Sequence, residues 1–316
     1  MKLTGNTSGS VLKSRDRSLV AISLPTIMWY LAFCYLPMFG MVIAFKRYRM
    51  VPGRGFIYSL FRGSEWVGID NFRFLFLNPQ MSLVIRNTIF YNLVFLLLDI
   101  VLPIGLSVGL SLISSNRFRA VSQAVSLLPY FLSWVVVSSL TYAFLSTDRG
   151  LINHALAHIG ITPIAWYRTP AVWPWILILT HLWKSVGYFM VLYLSYISSI
   201  DKSLYDSAMM DGAATSQMIR YITLPHLKGI ASVMVILSLG HILSTDFGLF
   251  YQVTRDSGSI LSATETVDVY IYRALINNSD YGFSAAAGLL QNGIGCVLLL
   301  IVNYILNRMD PDNGLV

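Results

Sequence analysis

The chain has 316 residues, of which 55% are hydrophobic and only 12% are charged. Because an ordinary soluble domain carries about 25% charged residues, this composition argues against a soluble protein and for a polytopic membrane protein. The formal charge is +7, and the basic residues lie mainly between apolar runs, which favours a membrane surface or an anionic partner over nucleic acid.

The chain begins with a polar, basic segment, residues 1–18, for which we predict a cytoplasmic location and no removable signal peptide. Six apolar stretches follow, each long enough for the roughly 20 residues that a transmembrane helix needs. They lie at about 19–45, 83–112, 120–145, 172–198, 230–251 and 284–306. We therefore predict an all-α protein with six transmembrane helices, a transmembrane domain over 19–308 and a C-terminal tail over 309–316.

Four prolines interrupt the predicted spans: Pro25, Pro37, Pro103 and Pro129. We interpret them as kinks rather than helix ends, because neighbouring helices can satisfy the backbone groups that proline frees. The two cysteines, Cys34 and Cys296, both lie in apolar runs and make no disulfide framework.

The connection after the first span, residues 46–82, is strongly basic and contains only two acidic residues, Glu65 and Asp70. With both chain ends inside, this loop lies outside the membrane. Two interpretations remain open: a solvated loop without a specific role, or a positive surface that faces an anionic solute or an anionic docking partner.

Two sequence patterns bear on metal and nucleotide binding. His154 and His158 are four residues apart, but Ala155 stands where a zinc-protease motif has glutamate, so we predict an ordinary outer-loop helix. The chain contains no Gly-x-x-x-x-Gly-Lys-Ser/Thr motif, so any ATP must be bound by another protein.

Ionisable residues inside the predicted spans are functional hypotheses by default. Lys184 follows Trp183 in the fourth span, and it either offers a cation to an acidic sugar or pairs with an aspartate of another span. The candidates for a substrate path are Trp183, Lys184, Tyr188, Asp246 and Asn292. An intramembrane enzyme built on Asp99, His181 and His241 is a further alternative, but it lacks a recognisable catalytic spacing.

Residues 201–225 form a polar, amphipathic stretch that is longer than a connection between the fourth and fifth spans requires. Its apolar residues recur at helical spacing in two groups separated by Asp211 and Gly212, where glycine allows a turn. We predict two short surface helices bent at Gly212, with Pro225 ending the second. Because acidic residues outnumber basic ones here, a protein partner fits better than anionic lipid.

The same stretch resembles the coupling loop of bacterial ABC importer membrane subunits, which reads Glu-Ala-Ala, three residues, Gly, and then Ile-x-Leu-Pro. Here Asp206-Ser207-Ala208 stands first, Gly212 is the glycine, and residues 222–225 read Ile-Thr-Leu-Pro, so Asp206 and Ser207 depart from the pattern. The resemblance implies an ATPase-coupling role for Tyr205, Asp206, Ser207, Ala208, Asp211, Gly212, Ala213, Leu224 and Pro225.

Segments 35–45, 128–137, 183–188 and 267–273 extend the resemblance to the polysaccharide-type branch of these permeases, over roughly residues 15–308. The resemblance implies a type I importer permease of the bacterial inner membrane that is not catalytic and binds no cofactor. The implied partners are a second, homologous permease, two copies of an ATPase carrying ATP and Mg²⁺, an extracytoplasmic solute-binding protein, and an oligosaccharide that is acidic and alginate-like.

Orientation in the membrane follows from the resemblance and not from charge, because basic residues fall in nearly equal numbers on the two predicted sides. The cytoplasmic placement of both ends brings residues 201–225 to the side of the ATPase, and the implied mechanism is alternating access. The alternative is an ion-coupled secondary sugar transporter. Such transporters often contain two related halves, and no repeat between residues 19–145 and 172–306 is evident.

Overall fold

The computed structural model describes residues 8–309, with side chains described from residue 19 to residue 308 except for 74–76. Residues 1–7 of the predicted N-terminal segment and residues 310–316 of the predicted tail lie outside this range. Within it the regular secondary structure is helical apart from one short ladder of two strands, and turns and irregular segments connect these elements.

The first of two compact units comprises residues up to Phe74 together with Ser279–Leu289. A π-helical turn and a 3₁₀ segment join its first helices, so that residues 19–45 are one continuous apolar helix of the predicted extent. The helices of this unit are α1 (Ser8–Tyr30), α2 (Leu36–Met38), α3 (Phe56–Phe61) and the first part of α4 (Asp70–Leu77).

The basic loop after this helix is folded in its first half. Strand β1 (Lys46–Arg47) pairs antiparallel with β2 (Glu65–Trp66). Lys46 is buried, its Nζ donates to the carbonyl of Leu60 at 2.7 Å, and Asn71 Nδ2 donates to the carbonyls of Ala44 and Lys46. One predicted surface cation is therefore an interior group that ties the loop together.

The second compact unit comprises Leu75–Asn278 and the residues from Leu290 onward. Its longest pairing is between α5 (Pro79–Ser111) and α9 (Trp173–Ser199). The buried core around this pairing includes Tyr91, Phe95, Trp173, Leu177, Leu249 and Phe250. The other helices are α6 (Asn116–Leu127), α7 (Trp134–Leu145), α8 (Leu151–His158), α10 (Lys202–Met210), α11 (Thr215–Met218), α12 (Leu224–Gly240), α13 (Leu261–Thr264), α14 (Val267–Asn278) and most of α15 (Tyr281–Met309).

Five helical stretches in the described part of the chain are long and apolar enough to cross a membrane, and a bent helix pair makes a sixth if it counts as one span. The bent pair joins 116–131 to 134–145 at 96°. Pro129 therefore marks a break and not the kink that we predicted. Proline has no backbone N–H and its ring clashes with the preceding turn, and Ser133 caps a new helix by accepting from the Val136 backbone N–H.

The fifth span corrects two further predictions. Pro225 does not end a helix, because a π-helical turn over Ile219–Thr223 widens the helix just before it, and Thr215–Gly240 is continuous. Nor does the span reach Tyr251, since α12 ends at Gly240 and a separate π-helical segment covers Gly248–Val253. The polar residues that lie between these two segments interrupt the apolar run.

Candidate functional site

The first candidate region is the surface segment 201–225, which we call the coupling element. Its helix α10 begins at Asp201, whose Oδ1 accepts from the Ser203 backbone N–H at 2.9 Å. This hydrogen bond lowers the pKa of Asp201 below its ordinary value, because it stabilises the charged carboxylate. The N-cap thus fixes where the element starts.

The bend of the coupling element is built on Gly212, which has a φ of +75°. The Gly212 N–H donates to the Met209 carbonyl at 3.1 Å, and the Ala213 N–H donates to the Ala208 carbonyl at 2.9 Å. These two bonds form a Schellman motif, which ends a helix with a left-handed residue that glycine adopts without strain. The Gln217 side chain then accepts from the Ala214 N–H at 2.7 Å and starts α11.

One side-chain contact joins the two arms of the bend. The hydroxyls of Tyr205 and Thr223 lie 2.9 Å apart, and Thr223 is buried. Of the predicted coupling residues, Tyr205, Ala208 and Ala213 are half-buried along the inner side of the bend. The exposed members are Asp206, Ser207, Asp211, Gly212, Leu224 and Pro225.

Sequence reasoning missed the large apolar side chains that the coupling element exposes. Met210 is 88% exposed, and Met209 and Tyr221 are exposed as well. Exposed apolar groups on a polar surface mark interaction sites, and methionine adapts its shape to a partner. The visible signal was the Met209-Met210 pair directly before the glycine turn.

The second candidate region lies at the break of the third span, residues 128–134, which we call the break segment. Lys184 of α9 donates from Nζ to the carbonyls of Tyr130 at 2.7 Å, Leu132 at 2.6 Å and Pro129 at 3.4 Å. The ammonium also lies 5.1 Å from the ring of Trp134. Lys184 thus contacts carbonyls at the broken helix end, of which that of Pro129 also accepts from the Leu132 N–H, instead of pairing with an aspartate.

Asp246 joins the break segment to the Gly248–Val253 segment, which follows the fifth span. Its Oδ2 accepts from Trp134 Nε1 at 2.8 Å, and its Oδ1 accepts from the Gly248 N–H at 2.9 Å. A Cβ on Gly248 would overlap the Trp134 indole, so glycine is required for this approach. The break segment, α9 and the Gly248–Val253 segment are far apart in the sequence and meet at one polar cluster, which we call the crossing.

The remaining substrate-path candidates occupy different places. Tyr188 stacks on Tyr130 with ring centroids 4.6 Å apart, so it belongs to the crossing. Trp183 lines a neighbouring cleft with Thr141 and Thr180. Asn292 lines another cleft, where its neighbours include His241 and Ser244.

The ionisable groups of the enzyme alternative do not converge. His181 Nε2 lies 2.9 Å from Asp99 Oδ2, and Ser185 donates to Asp99 Oδ1 at 2.9 Å, which makes a polar link between α5 and α9. His241 instead contacts the carbonyl of Leu237 through Nδ1 at 2.9 Å. Within the described side chains no group of three or more metal-ligating His, Cys, Asp or Glu residues is present.

Comparison with a family model places this chain among known proteins. The model described as "Binding-protein-dependent transport system inner membrane component" matches residues 101–311. LplB of Bacillus subtilis (strain 168) is 30% identical over 298 residues, which cover 94% of this chain and 91% of that protein. The polygalacturonan/rhamnogalacturonan transport system permease protein YteP of the same organism is 31% identical over 298 residues, covering 94% and 90%.

Two solved structures are also similar. One is a bacterial ABC transporter involved in the import of the acidic polysaccharide alginate, with a TM-score of 0.83, 32% identity, and coverage of 94% of this chain and 97% of that one. The other is a bacterial alginate ABC transporter in complex with an alginate pentasaccharide-bound periplasmic protein, with a TM-score of 0.82, 32% identity, and coverage of 94% and 96%.

Proposed function

Because this chain belongs to the family of binding-protein-dependent transport system inner membrane components, we propose that it carries acidic oligosaccharides across the bacterial inner membrane by ATP-driven alternating access. The chain is a multi-pass permease of an ABC importer of the sugar and polysaccharide type, and it is not itself an enzyme. The substrate class, the remaining partners and the coupling mechanism are the proposed part.

An acidic substrate is supported by the descriptions of similar proteins and by charge. One similar structure belongs to an importer of the acidic polysaccharide alginate, and YteP is described as a polygalacturonan/rhamnogalacturonan permease. This chain carries a formal charge of +7, and its outer loop 46–82 contains six basic residues against Glu65 and Asp70. A positive field favours anionic solutes over neutral ones of the same size.

The observation that carries the coupling mechanism is the continuous helix Thr215–Gly240. It spans 26 residues, roughly 40 Å at 1.5 Å per residue, and its first turns belong to the coupling element. An ATPase that moves the exposed surface around Gly212 would therefore move the fifth span as a rigid lever. Both chain ends would then lie in the cytoplasm.

The proposed partners follow the same logic. A second, homologous permease completes the pore, two ATPase copies bind ATP and Mg²⁺, and an extracytoplasmic solute-binding protein docks on the outer loops. The nine coupling residues contact the ATPase: Tyr205, Asp206, Ser207, Ala208, Asp211, Gly212, Ala213, Leu224 and Pro225.

The proposed substrate path passes the crossing at the break segment. Trp183 and Tyr188 are both exposed and present aromatic faces suited to sugar rings. Lys184 and Asp246 make hydrogen bonds to the break segment and the Gly248–Val253 segment. They would therefore set the shape of the substrate path by positioning these segments. Asn292, in its separate cleft, would meet the substrate at another stage.

Reconstitution tests this function. The chain is purified together with its genomic neighbours and placed in liposomes with ATP inside, and uptake of a short oligouronate is compared with uptake of a neutral maltooligosaccharide. We expect ATP-dependent uptake of the oligouronate. Uptake of neutral sugar alone would overturn the acidic substrate, and uptake by the single chain driven by an ion gradient would support the secondary transporter instead.

A further inference from the structure

Two consecutive residues shortly after the Gly248–Val253 segment have a backbone conformation that glycine normally adopts. Arg255 has a φ of 54° and Asp256 has a φ of 50°. Side chains with a Cβ rarely occupy this left-handed region, and such outliers gather at ligand clamps where the surroundings enforce them. The contacts of these two side chains must therefore hold the turn in this conformation.

An ion-pair network holds this turn in place. Arg273 donates from Nε to Asp256 Oδ1 at 2.7 Å, and its Nη2 lies 2.6 Å from the same oxygen. Its Nη1 donates at 3.3 Å to Glu265, which is 3% exposed and accepts from Gln80 Nε2 at 2.7 Å. Both carboxylates thus have partners, and Arg273 of α14 holds Asp256 in place.

Arg255, by contrast, extends away from this network. Its guanidinium carbon lies 4.1 Å from the ring centroid of Tyr142, and the side chain is exposed. Among the side chains that the structure describes, 19–308 without 74–76, no acidic one forms an ion pair with it. A guanidinium that stacks through its face keeps the N–H groups of its edge available, and that edge matches a carboxylate in a bidentate manner.

The cleft in front of Arg255 is polar and of suitable size. Its volume is about 360 Å³, and its lining includes Ser139, Tyr251, Gln252 and Asp256. Pockets for small ligands start near 300 Å³, so this cleft accommodates about one sugar unit. The amide and hydroxyl groups of the lining suit sugar hydroxyls.

From this arrangement we propose that Arg255 forms a carboxylate-binding subsite for one uronate unit, with Tyr142 orienting the guanidinium and Gln252 and Ser139 contacting sugar hydroxyls. The subsite follows the fifth span at the end opposite the coupling element. It rests on the proposed function, and it locates acid selectivity at one residue instead of in the basic loop 46–82.

The test measures equilibrium binding to the detergent-solubilised transporter without its solute-binding protein. The probes are a trigalacturonate or a trimannuronate, whichever the wild-type complex binds more tightly, and the methyl ester of the same trimer. Arg255→Gln is compared with Arg149→Gln, which removes an exposed outer-loop arginine outside the cleft. Arg255→Gly is added because glycine relieves the left-handed backbone and should keep the turn folded.

We expect both Arg255 variants to bind the free acid at least about tenfold more weakly, since a charge-assisted pair is lost. Binding of the ester should stay unchanged in both variants, and Arg149→Gln should bind both probes like the wild type. Equal losses for acid and ester, or no loss in Arg255→Gly, would overturn the subsite while leaving acidic transport intact. A wild-type complex that binds the ester as well as the acid would overturn both proposals.

Discussion

The coupling element and the break segment both interrupt a helix, but they satisfy the freed backbone groups in opposite ways. At Gly212 the partners are local, since the Schellman bonds join residues three and five apart in the sequence. At the break segment the partner is Lys184 of α9, more than 50 residues away, with Asp246 holding Trp134 from a third segment.

The difference indicates a division of labour. A bend made from local bonds keeps its shape when the rest of the chain moves, so it can transmit a displacement. A break held by distant side chains is stable only while three segments keep their relative positions. In the proposed mechanism it is therefore the place where a movement of the fifth span would change the proposed substrate path.

The largest effect is expected from removing the clamp, by which we mean the hydrogen bonds that Lys184 donates to the break segment. Lys184→Met keeps the aliphatic stem but removes the donors to the carbonyls of Tyr130 and Leu132. The hydrogen bond to Leu132 is part-buried and the one to Tyr130 is exposed. Because only one of the two bonds is shielded from solvent, we expect roughly 1.5–3 kcal/mol of lost stability, the contribution of one hydrogen bond to a charged group. The measurement is thermal unfolding of the purified chain in detergent.

The control for the clamp is Lys202→Met, which removes an exposed lysine of α10. Its melting temperature should match that of the wild type. An equal melting temperature for Lys184→Met would show that the carbonyls find other partners and that the break does not depend on α9.

The second effect sharpens the local side of the comparison. Gly212→Val places a β-branched residue at a φ of +75°, which costs about 1–2 kcal/mol and distorts the bend. We expect substrate-stimulated ATP hydrolysis by the reconstituted complex to fall strongly while expression changes little.

Gly212→Asn is the matched variant, because asparagine tolerates the left-handed region. It should retain most of the coupling. Normal coupling in Gly212→Val would contradict the lever, and loss in both variants would point to a contact that needs the bare glycine backbone.

A smaller effect is expected from the hydroxyl contact of Tyr205 with Thr223, which joins the two arms of the bend. Tyr205→Phe removes the hydroxyl that lies 2.9 Å from Thr223 and should cost about 0.5–1.5 kcal/mol. Hydrogen exchange measures this loss of stability: we expect faster exchange in α10 and no change of the exchange rate in α5. Unchanged exchange would mean that the Schellman bonds hold the bend alone.

The smallest effect concerns the N-cap at Asp201, whose pKa is lowered by the Ser203 N–H. A lowered pKa means that the carboxylate stabilises the folded state above its unfolded pKa and loses this contribution as pH falls through the folded value. Exchange of α10 in Asp201→Ala should therefore exceed that of the wild type at neutral pH and converge with it in acid. A difference that persists in acid would rule out the cap as its source.

The sequence predicts the features whose causes are local. The long apolar runs indicate α5, α9 and α15, and glycine at 212 indicates a bend where the structure has one. It does not reveal that Pro129 marks a break, because the residues around it are as apolar as those of the helices. The break after Gly240 has a visible signal in the polar residues 244–246, Ser-Thr-Asp, which the prediction included in the fifth span. Carbonyl groups occur at every position, so no pattern identifies those of the break segment as the partners of Lys184.

The π-helical turn before Pro225 has a consequence for how these proteins can diverge. Such a turn holds one residue more than an α-helical turn, and each residue of a helix advances by about 100°. Deleting one amino acid there would turn it into an ordinary α-helical turn and leave the rest of the fifth span facing the same way, whereas a deletion elsewhere in Thr215–Gly240 would rotate the following residues by about 100°. The turn is thus the one place in this helix where the chain length can change by a residue without redirecting the side chains that follow.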